Sequence, residues 1–168
     1  IRSMLNIARV ESQDIKLNLV PSDLNQIIEN SVELMKPLAT DKSIEIKSDL
    51  SPLFLIQIDP ILIKEALINI IENAIKYSPL QSSIKIKSYE ETDFVVVQIQ
   101  DNGIGIPDEE LKNIGQKFFR SQSVPDSIKG TGLGLFLVKY FVELHSGTMD
   151  VASSLNKGTN VTLKLPNR

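Results

Sequence analysis

The sequence has no cysteine, which excludes disulfides, thiolate catalysis and cysteine-ligated zinc. Histidine occurs once, as His145, so poly-histidine metal sites and mechanisms that need two imidazoles are excluded too. No apolar run approaches the ~18–20 residues of a membrane-spanning helix, and no signal-peptide pattern opens the chain. Neither sign of charge dominates. The 21 acidic and 18 basic residues give a net charge of −3, which argues against a general nucleic-acid or anionic-membrane surface. Arginine is scarce, with Arg2, Arg9, Arg120 and Arg168 its only positions. What is present is ordinary: 168 residues, 42% apolar and 23% charged, suit one domain with a real core. The chain opens on Ile1 rather than Met, so a fragment of a longer protein is expected, with room for an anchor upstream.

Hydrophobic periodicity divides the chain into elements. Residues 1–17 carry a partial apolar stripe (Met4, Leu5, Ala8, Val10, Ile15) and read as the end of a longer helix. Pro21 marks a break, and Ser22 or Asp23 can cap a helix over 23–40. Residues 43–49 alternate as a half-exposed strand, and 53–58 form a short apolar strand. Asp59 and Pro60 open a second helix over 61–77. Strands are expected over 83–90 and 94–100, a short helix over 108–114 and a long irregular loop over 115–131, of the size that serves as a lid. A helix over 132–145 and a hairpin of strands 147–153 and 158–165 complete the chain. With consecutive strands joined mostly as hairpins, this order predicts an α+β, two-layer sandwich, a mixed sheet covered on one face by helices.

Three segments bear chemistry. On the helix 61–77, Glu65, Asn69, Glu72, Asn73 and Lys76 share one stripe, opposite Ile63, Ala66, Leu67, Ile70 and Ala74. A solvated helix face looks the same. Asparagine, however, favours caps and turns over helix interiors, and an amide oxygen is a hard ligand suited to Mg²⁺ beside phosphates. Lys76 would add a point charge for those phosphates. Asp101 to Pro107 follows a strand with two glycines around Ile104. It reads either as a turn or as a pocket in which Asp101 accepts from an exocyclic amine, the selective feature of adenine. Gly130, Thr131, Gly132, Leu133, Gly134 and Leu135 run into a helix, whose N-terminal amides attract anions. The spacing is neither a Rossmann fingerprint nor a Walker A loop, and a tight packing turn is the alternative.

Together and in this order, these segments resemble the nucleotide-binding domain of sensor histidine kinases, within the wider family of gyrase-, Hsp90- and MutL-like ATPases (the Bergerat-type ATP-binding fold). The resemblance covers roughly residues 22–166. Ile68 to Ser78 resembles the N box, Asp101 to Pro107 the G1 box, Lys117 to Arg120 the F box and Gly130 to Leu135 the G2 box. Gly158 and Thr159 resemble the closing Gly-Thr element. The resemblance implies ATP and Mg²⁺ as cofactors. It implies Asn73 as the metal ligand, Asn69 beside the phosphates, and Lys76 and Tyr77 at the phosphate and ribose. Asp101 would read the adenine amine with Thr159 supporting it through a water, and Gly103, Gly105 and Ile106 would shape the base pocket. Phe118 and Phe119 would anchor a lid over about 107–131. Gly130, Thr131, Gly132, Leu133 and Gly134 would hinge that lid and meet the phosphates. Arg120, the one arginine of the nucleotide-binding region, would reach the γ-phosphate, so Asn69, Lys76 and Arg120 form the implied catalytic set.

Two departures stand out. Gly115 and Gln116 occupy the start of the F box, where an aromatic and an acid are usual, which weakens the lid's anchor. Asn69 stands where water-activating members of the wider family have a glutamate base. Asparagine cannot take a proton, so slow hydrolysis and transfer to a side chain are implied. The resemblance places the phosphoacceptor histidine on a helical hairpin that precedes the domain. Residues 1–21 resemble the end of its second helix and the linker, and residues 22–168 the kinase domain. His145 is expected to be structural. The implied partners are the protein's own dimerisation domain and a response-regulator receiver aspartate. The fragment is expected to be monomeric, its parent a homodimer, and the domain cytoplasmic, with no direct membrane contact and no nucleic acid. An anti-sigma-factor-type serine kinase, a non-catalytic nucleotide-dependent interaction module and a gyrase- or MutL-like ATPase are the rivals.

Overall fold

A computed structural model describes residues 2–12 and 15–168, with the backbone alone for 2–6. The elements in order are α1 (Arg2–Glu11), β1 (Val20–Ser22), α2 (Leu24–Asp41), β2 (Glu45–Leu50), β3 (Ile56–Ile58), α3 (Pro60–Tyr77), β4 (Ser83–Glu90), β5 (Phe94–Gln100), α4 (Asp108–Leu111), α5 (Gly134–Leu144), β6 (Thr148–Ser154) and β7 (Gly158–Pro166). Five strands form one sheet in the order β2-β4-β5-β7-β6. β2 runs parallel to β4 and every other neighbouring pair is antiparallel, so the sheet is mixed, as expected.

Strand alternation separates the sheet's faces. Ile86, Ile99, Val161 and Val151 share one rung and turn toward α2, α3 and α5. The neighbouring rung, Lys87, Gln98, Thr162 and Asp150, faces away. Ile28, Leu67, Ile71, Val138 and Phe141 are fully buried where helices meet sheet. Among the described residues no helix is long and apolar enough to cross a membrane.

The structure corrects several boundaries. The helix expected over 1–17 ends at Glu11, and 15–19 have no regular structure. There the Asn18 N–H donates to Asp59 Oδ2 at 3.0 Å, a long-range bond that holds the chain extended. Residues 13–14, within the expected helix, lie outside the described residues. β1 has no counterpart in the sequence reading. It pairs with β3 in a separate two-stranded ribbon, so β3 makes no hairpin with β2. The strand expected over 53–58 shortens to Ile56–Ile58, leaving Phe54 79% exposed. The helix expected over 108–114 stops at Leu111 and continues as turns.

Helix α3 begins at a dense polar junction. Asp59 Oδ1 caps it, accepting from the Ile61 and Leu62 N–H groups. The Asp59 N–H donates to His145 Nε2 at 2.9 Å, and His145 Nδ1 lies 2.6 Å from the Phe141 carbonyl. A ring that accepts at Nε2 and donates at Nδ1 is the neutral Nδ1–H tautomer. His145 is therefore a buried tie between the end of α5 and the start of α3. Replacing it with alanine orphans the buried Asp59 N–H. His145→Ala is expected to cost about 1–3 kcal/mol, measured by urea denaturation; an unchanged midpoint would remove this role.

Candidate functional site

A cleft of about 540 Å³ opens between α3, the loop 101–107, the irregular segment 112–133 and the start of α5. The apolar side of α3 is buried in the core through Ile63, Ala66, Leu67, Ile70 and Ala74. Burying that side turns Asn69, Glu72, Asn73 and Lys76 to the cleft, which they line. Glu65 does not reach it. Neither the Asn69 nor the Asn73 amide hydrogen-bonds to another described residue, and Asn69 Nδ2 is buried without a partner. A buried donor left unmet costs about 1–3 kcal/mol and marks a place where a ligand oxygen is wanted.

The second wall is the start of α5. α2 and α3 are each capped by an aspartate, Asp23 and Asp59. No side chain caps α5. Its N-terminal amides open beside Gly134, where an added Cβ would lie 3.7 Å from Asn73 Nδ2 and 3.9 Å from Asn69 Oδ1. Free backbone amides, the helix dipole and the Asn69 and Asn73 side-chain amides, the first with its Nδ2 buried and unmet, thus meet at one spot, a setting for anions.

At the far end, Asp101 is 9% exposed. Its Oδ1 accepts from the Gly103 N–H at 2.8 Å and the Thr159 N–H at 3.2 Å. Its Oδ2 has no partner among the described residues. Burial pushes this carboxyl above the ordinary range, and the two backbone donors pull it partly back. The loop that follows is pinned to the β6–β7 turn. The Asn156 N–H donates to the Ile104 carbonyl at 2.7 Å, and the Ile106 N–H to Ser153 Oγ at 2.8 Å. Gly105 sits at φ +70°, and a Cβ there would lie 1.9 Å from the Ser154 carbonyl oxygen, so no other residue fits.

The irregular segment brings charge. Arg120 donates to the Ile128 carbonyl and faces Lys76 and Tyr77. Burial first, then Arg120, lowers the Lys76 ammonium below its usual range, with Glu72 opposing. Burial raises the Tyr77 phenol, and Arg120 works against that rise. Lys76 Nζ also stands 5.2 Å from the centre of the Tyr77 ring.

Most of the expected site residues converge here. Asn69, Asn73, Lys76, Tyr77, Asp101, Gly105, Ile106, Phe119, Arg120, Gly130, Thr131, Gly132, Gly134 and Thr159 all line the cleft. Three expected residues stand elsewhere. Gly103 lies beneath the wall and donates to Asp101. Leu133 is 2% exposed in the core. Phe118, expected to anchor the lid, is 66% exposed at φ +62°, because the left-handed turn points its ring outward. Ile114, Leu135 and Phe136 line the cleft beside Phe119 instead. Lys129 also lines it, and only its place next to Gly130 could have signalled it. Ser153 was missed as well.

A family model described as histidine kinase-, DNA gyrase B-, and HSP90-like ATPase matches residues 58–168. This chain belongs to that family. Among its relatives, the circadian input-output histidine kinase CikA of Synechococcus elongatus is 30% identical over 173 residues, covering 99% of this chain and 22% of its own length. Sporulation kinase B of Bacillus subtilis is 33% identical over 145 residues, 86% of this chain and 33% of its own length. The solved structure of full-length ShkA in complex with AMPPNP superposes with a TM-score of 0.85 at 26% identity, over 98% of this chain and 34% of that one. The mycobacterial sensor histidine kinase MprB gives 0.78 at 28% identity, over 89% of this chain and 97% of the solved chain.

The chain is thus an ATP-binding domain of the histidine-kinase kind. It spans between 20% and 33% of the length of four curated relatives. Two variants test how this ATPase-family cleft is built. Gly105→Ala is expected to disrupt the loop 101–107, read as loss of the Ile104 and Ile106 amide signals from their native NMR positions. The second concerns Asp101. Its proton is held more tightly folded than unfolded, so the stability it adds is complete at acid pH and lost as pH rises through the raised value. Asp101→Asn mimics the protonated form. It is expected to match the wild-type melting temperature near pH 4 and to equal or exceed it at pH 7. A mutant melting below wild type at pH 7 would refute this.

Proposed function

We propose that this domain binds Mg²⁺·ATP in the cleft and transfers the γ-phosphoryl group to a histidine on a helical hairpin elsewhere in the parent protein, in the same chain or across a dimer. An aspartate on a receiver domain then takes the phosphoryl group. Residues 1–21 are read as the end of that hairpin and its linker, and the parent as a dimer through the hairpin. The observation that carries the reading is the convergence of two cleft-lining asparagines, one with a buried unmet amide, an uncapped helix N-terminus and three cations, facing a buried carboxylate at the other end of one cleft. A polyphosphate suits the first end and an amine-bearing base the second.

The residues divide the work. Asp101 Oδ2 accepts from the adenine amine. Tyr77 and Lys76 hold the ribose and phosphate region. The α5 amides and the loop 130–134 take phosphate oxygens. Mg²⁺, when bound, would neutralise phosphate charge, with the Asn73 amide oxygen as the protein's ligand and Asn69 beside it. Arg120 meets the charge that develops as the bond from the γ-phosphorus to the bridging oxygen breaks and the bond to the imidazole nitrogen forms. No carboxylate on α3 stands at position 69 to draw a proton from water, which suits transfer to a side chain over hydrolysis. His145 has both ring nitrogens engaged inside the fold and is not the acceptor.

Calorimetry with an unhydrolysable ATP analogue, with and without Mg²⁺, tests the binding. Asn73→Ala is expected to weaken Mg²⁺-dependent binding about 10- to 100-fold, and Asp101→Asn to lose it. Arg120→Ala is expected to spare binding and slow phosphoryl transfer about 10²–10³-fold, measured with the domain joined to its own acceptor hairpin. Equal loss of binding in Asn73→Ala and Arg120→Ala would sink the division of roles. No binding at millimolar nucleotide would overturn the reading, and binding without transfer to the joined hairpin would favour the non-catalytic nucleotide-dependent module.

A further inference from the structure

Three polar contacts meet on one hydroxyl behind the base end of the cleft. Ser153 Oγ lies 2.8 Å from the Ile106 nitrogen, 2.9 Å from the Gly158 carbonyl oxygen and 2.8 Å from Thr159 Oγ1. A hydroxyl has one hydrogen and two lone pairs. The Ile106 amide can only donate and the Gly158 carbonyl can only accept. Ser153 therefore gives its hydrogen to Gly158, and the remaining contact needs a donor, which is the Thr159 hydroxyl. All three bonds are satisfied in this arrangement and in no other.

The consequence falls on Thr159, which lines the cleft where Ser153 does not. With its hydrogen committed to Ser153, Thr159 Oγ1 offers the cleft only lone pairs. Three nearby amide hydrogens are engaged as well: Gly103 and Thr159 donate to Asp101 Oδ1, and Ile104 to the Tyr77 carbonyl. The base end thus presents acceptors from two side chains, Asp101 and Thr159.

We infer that Ser153 is a positioning residue for purine selectivity: it fixes Thr159 as an acceptor, so the cleft favours a base with an amine at its six-position over one with a carbonyl there. This rests on the nucleotide reading above and names a determinant outside the cleft lining. Without Ser153, the Thr159 hydroxyl is free to turn its hydrogen toward a carbonyl.

The test is equilibrium binding of ATP and of inosine triphosphate, which has a carbonyl in place of the amine. The ratio of their dissociation constants is the readout, because a purely structural loss weakens both nucleotides alike. In Ser153→Ala the ratio is expected to fall about three- to tenfold, the span of one hydrogen bond. Ser153→Thr, which keeps the hydroxyl, should hold the wild-type ratio. In a Thr159→Val background, Ser153→Ala should leave the ratio unmoved, since the two act as one unit. If Ser153→Ala does not fold, Ser153→Cys serves, because a thiol keeps the shape but is a weak acceptor. A ratio unmoved in whichever variant folds, or one that moves as much in the Thr159→Val background, overturns the inference. A wild-type domain that binds neither nucleotide removes the nucleotide reading and this inference with it, whereas one that binds both equally overturns the inference and leaves nucleotide binding standing.

Discussion

Helix α3 is held at both ends, and the cleft takes its geometry from that grip. At the N-terminus, Asp59 caps the first turn and is itself tied to His145 and to Asn18. At the C-terminus, Lys42 Nζ, from the turn after α2, donates to the carbonyls of Ile75, Lys76 and Ser78 at 2.8, 3.2 and 2.6 Å. These are the carbonyls a helix end leaves unmet, and a cation there also suits the helix dipole. Between the two clamps the buried isoleucines and alanines set the rotation about the axis. A turn of one residue would expose Ile70 and bury Glu72 or Asn73. The amide stripe therefore has one place to be. The Tyr77 carbonyl then receives the Ile104 N–H, which hangs the loop 101–107 from the same helix.

The site works against the stability that the clamps provide. Lys76 is partly removed from water beside Arg120, and two like charges in that setting weaken the ammonium's hold on its proton. Asn69 lacks a partner, α5 lacks a cap, and Asp101 is kept from water. Each is unfavourable alone, and each would be relieved by a ligand of the proposed kind: negative oxygens for the cations, amides and helix end, and a hydrogen-bond donor for the carboxylate. Such groups are pre-organised, so binding need not pay to gather them.

Much of this was legible in the sequence where local chemistry and tertiary role agree. The α3 stripe followed from helical spacing, because a two-sided helix has only one way to face a core. Asp59 and Pro60 marked its start for the same local reasons that cap any helix. The misses are non-local. β1 is three residues long and exists only because β3 lies beside it. Lys42 carries no signal of its role, and nothing near it in sequence announces that α3 ends under its ammonium. Ser153 sat in an ordinary strand, and its role needs Ile106 and Thr159 brought to it by two separate turns. The resemblance implied an anchor at Phe118 as well as Phe119, and the left-handed backbone that turns the Phe118 ring outward has no sequence signal.

The crossing of the loop 101–107 with the β6–β7 turn has a consequence for assembly. Gly158, at φ +88°, passes so close to Asp101 that a Cβ there would lie 2.0 Å from its carbonyl oxygen, and Thr159 supplies half of the carboxylate's backbone donors. During synthesis the chain emerges from its N-terminus. Helix α3, with its amides, and the start of α5 are therefore made before β7 exists. Asp101 by contrast has only half its cradle until β7 has been made and has returned across the sheet. A nascent chain would hold the amide-lined wall of its cleft while the end around Asp101 was still unbuilt.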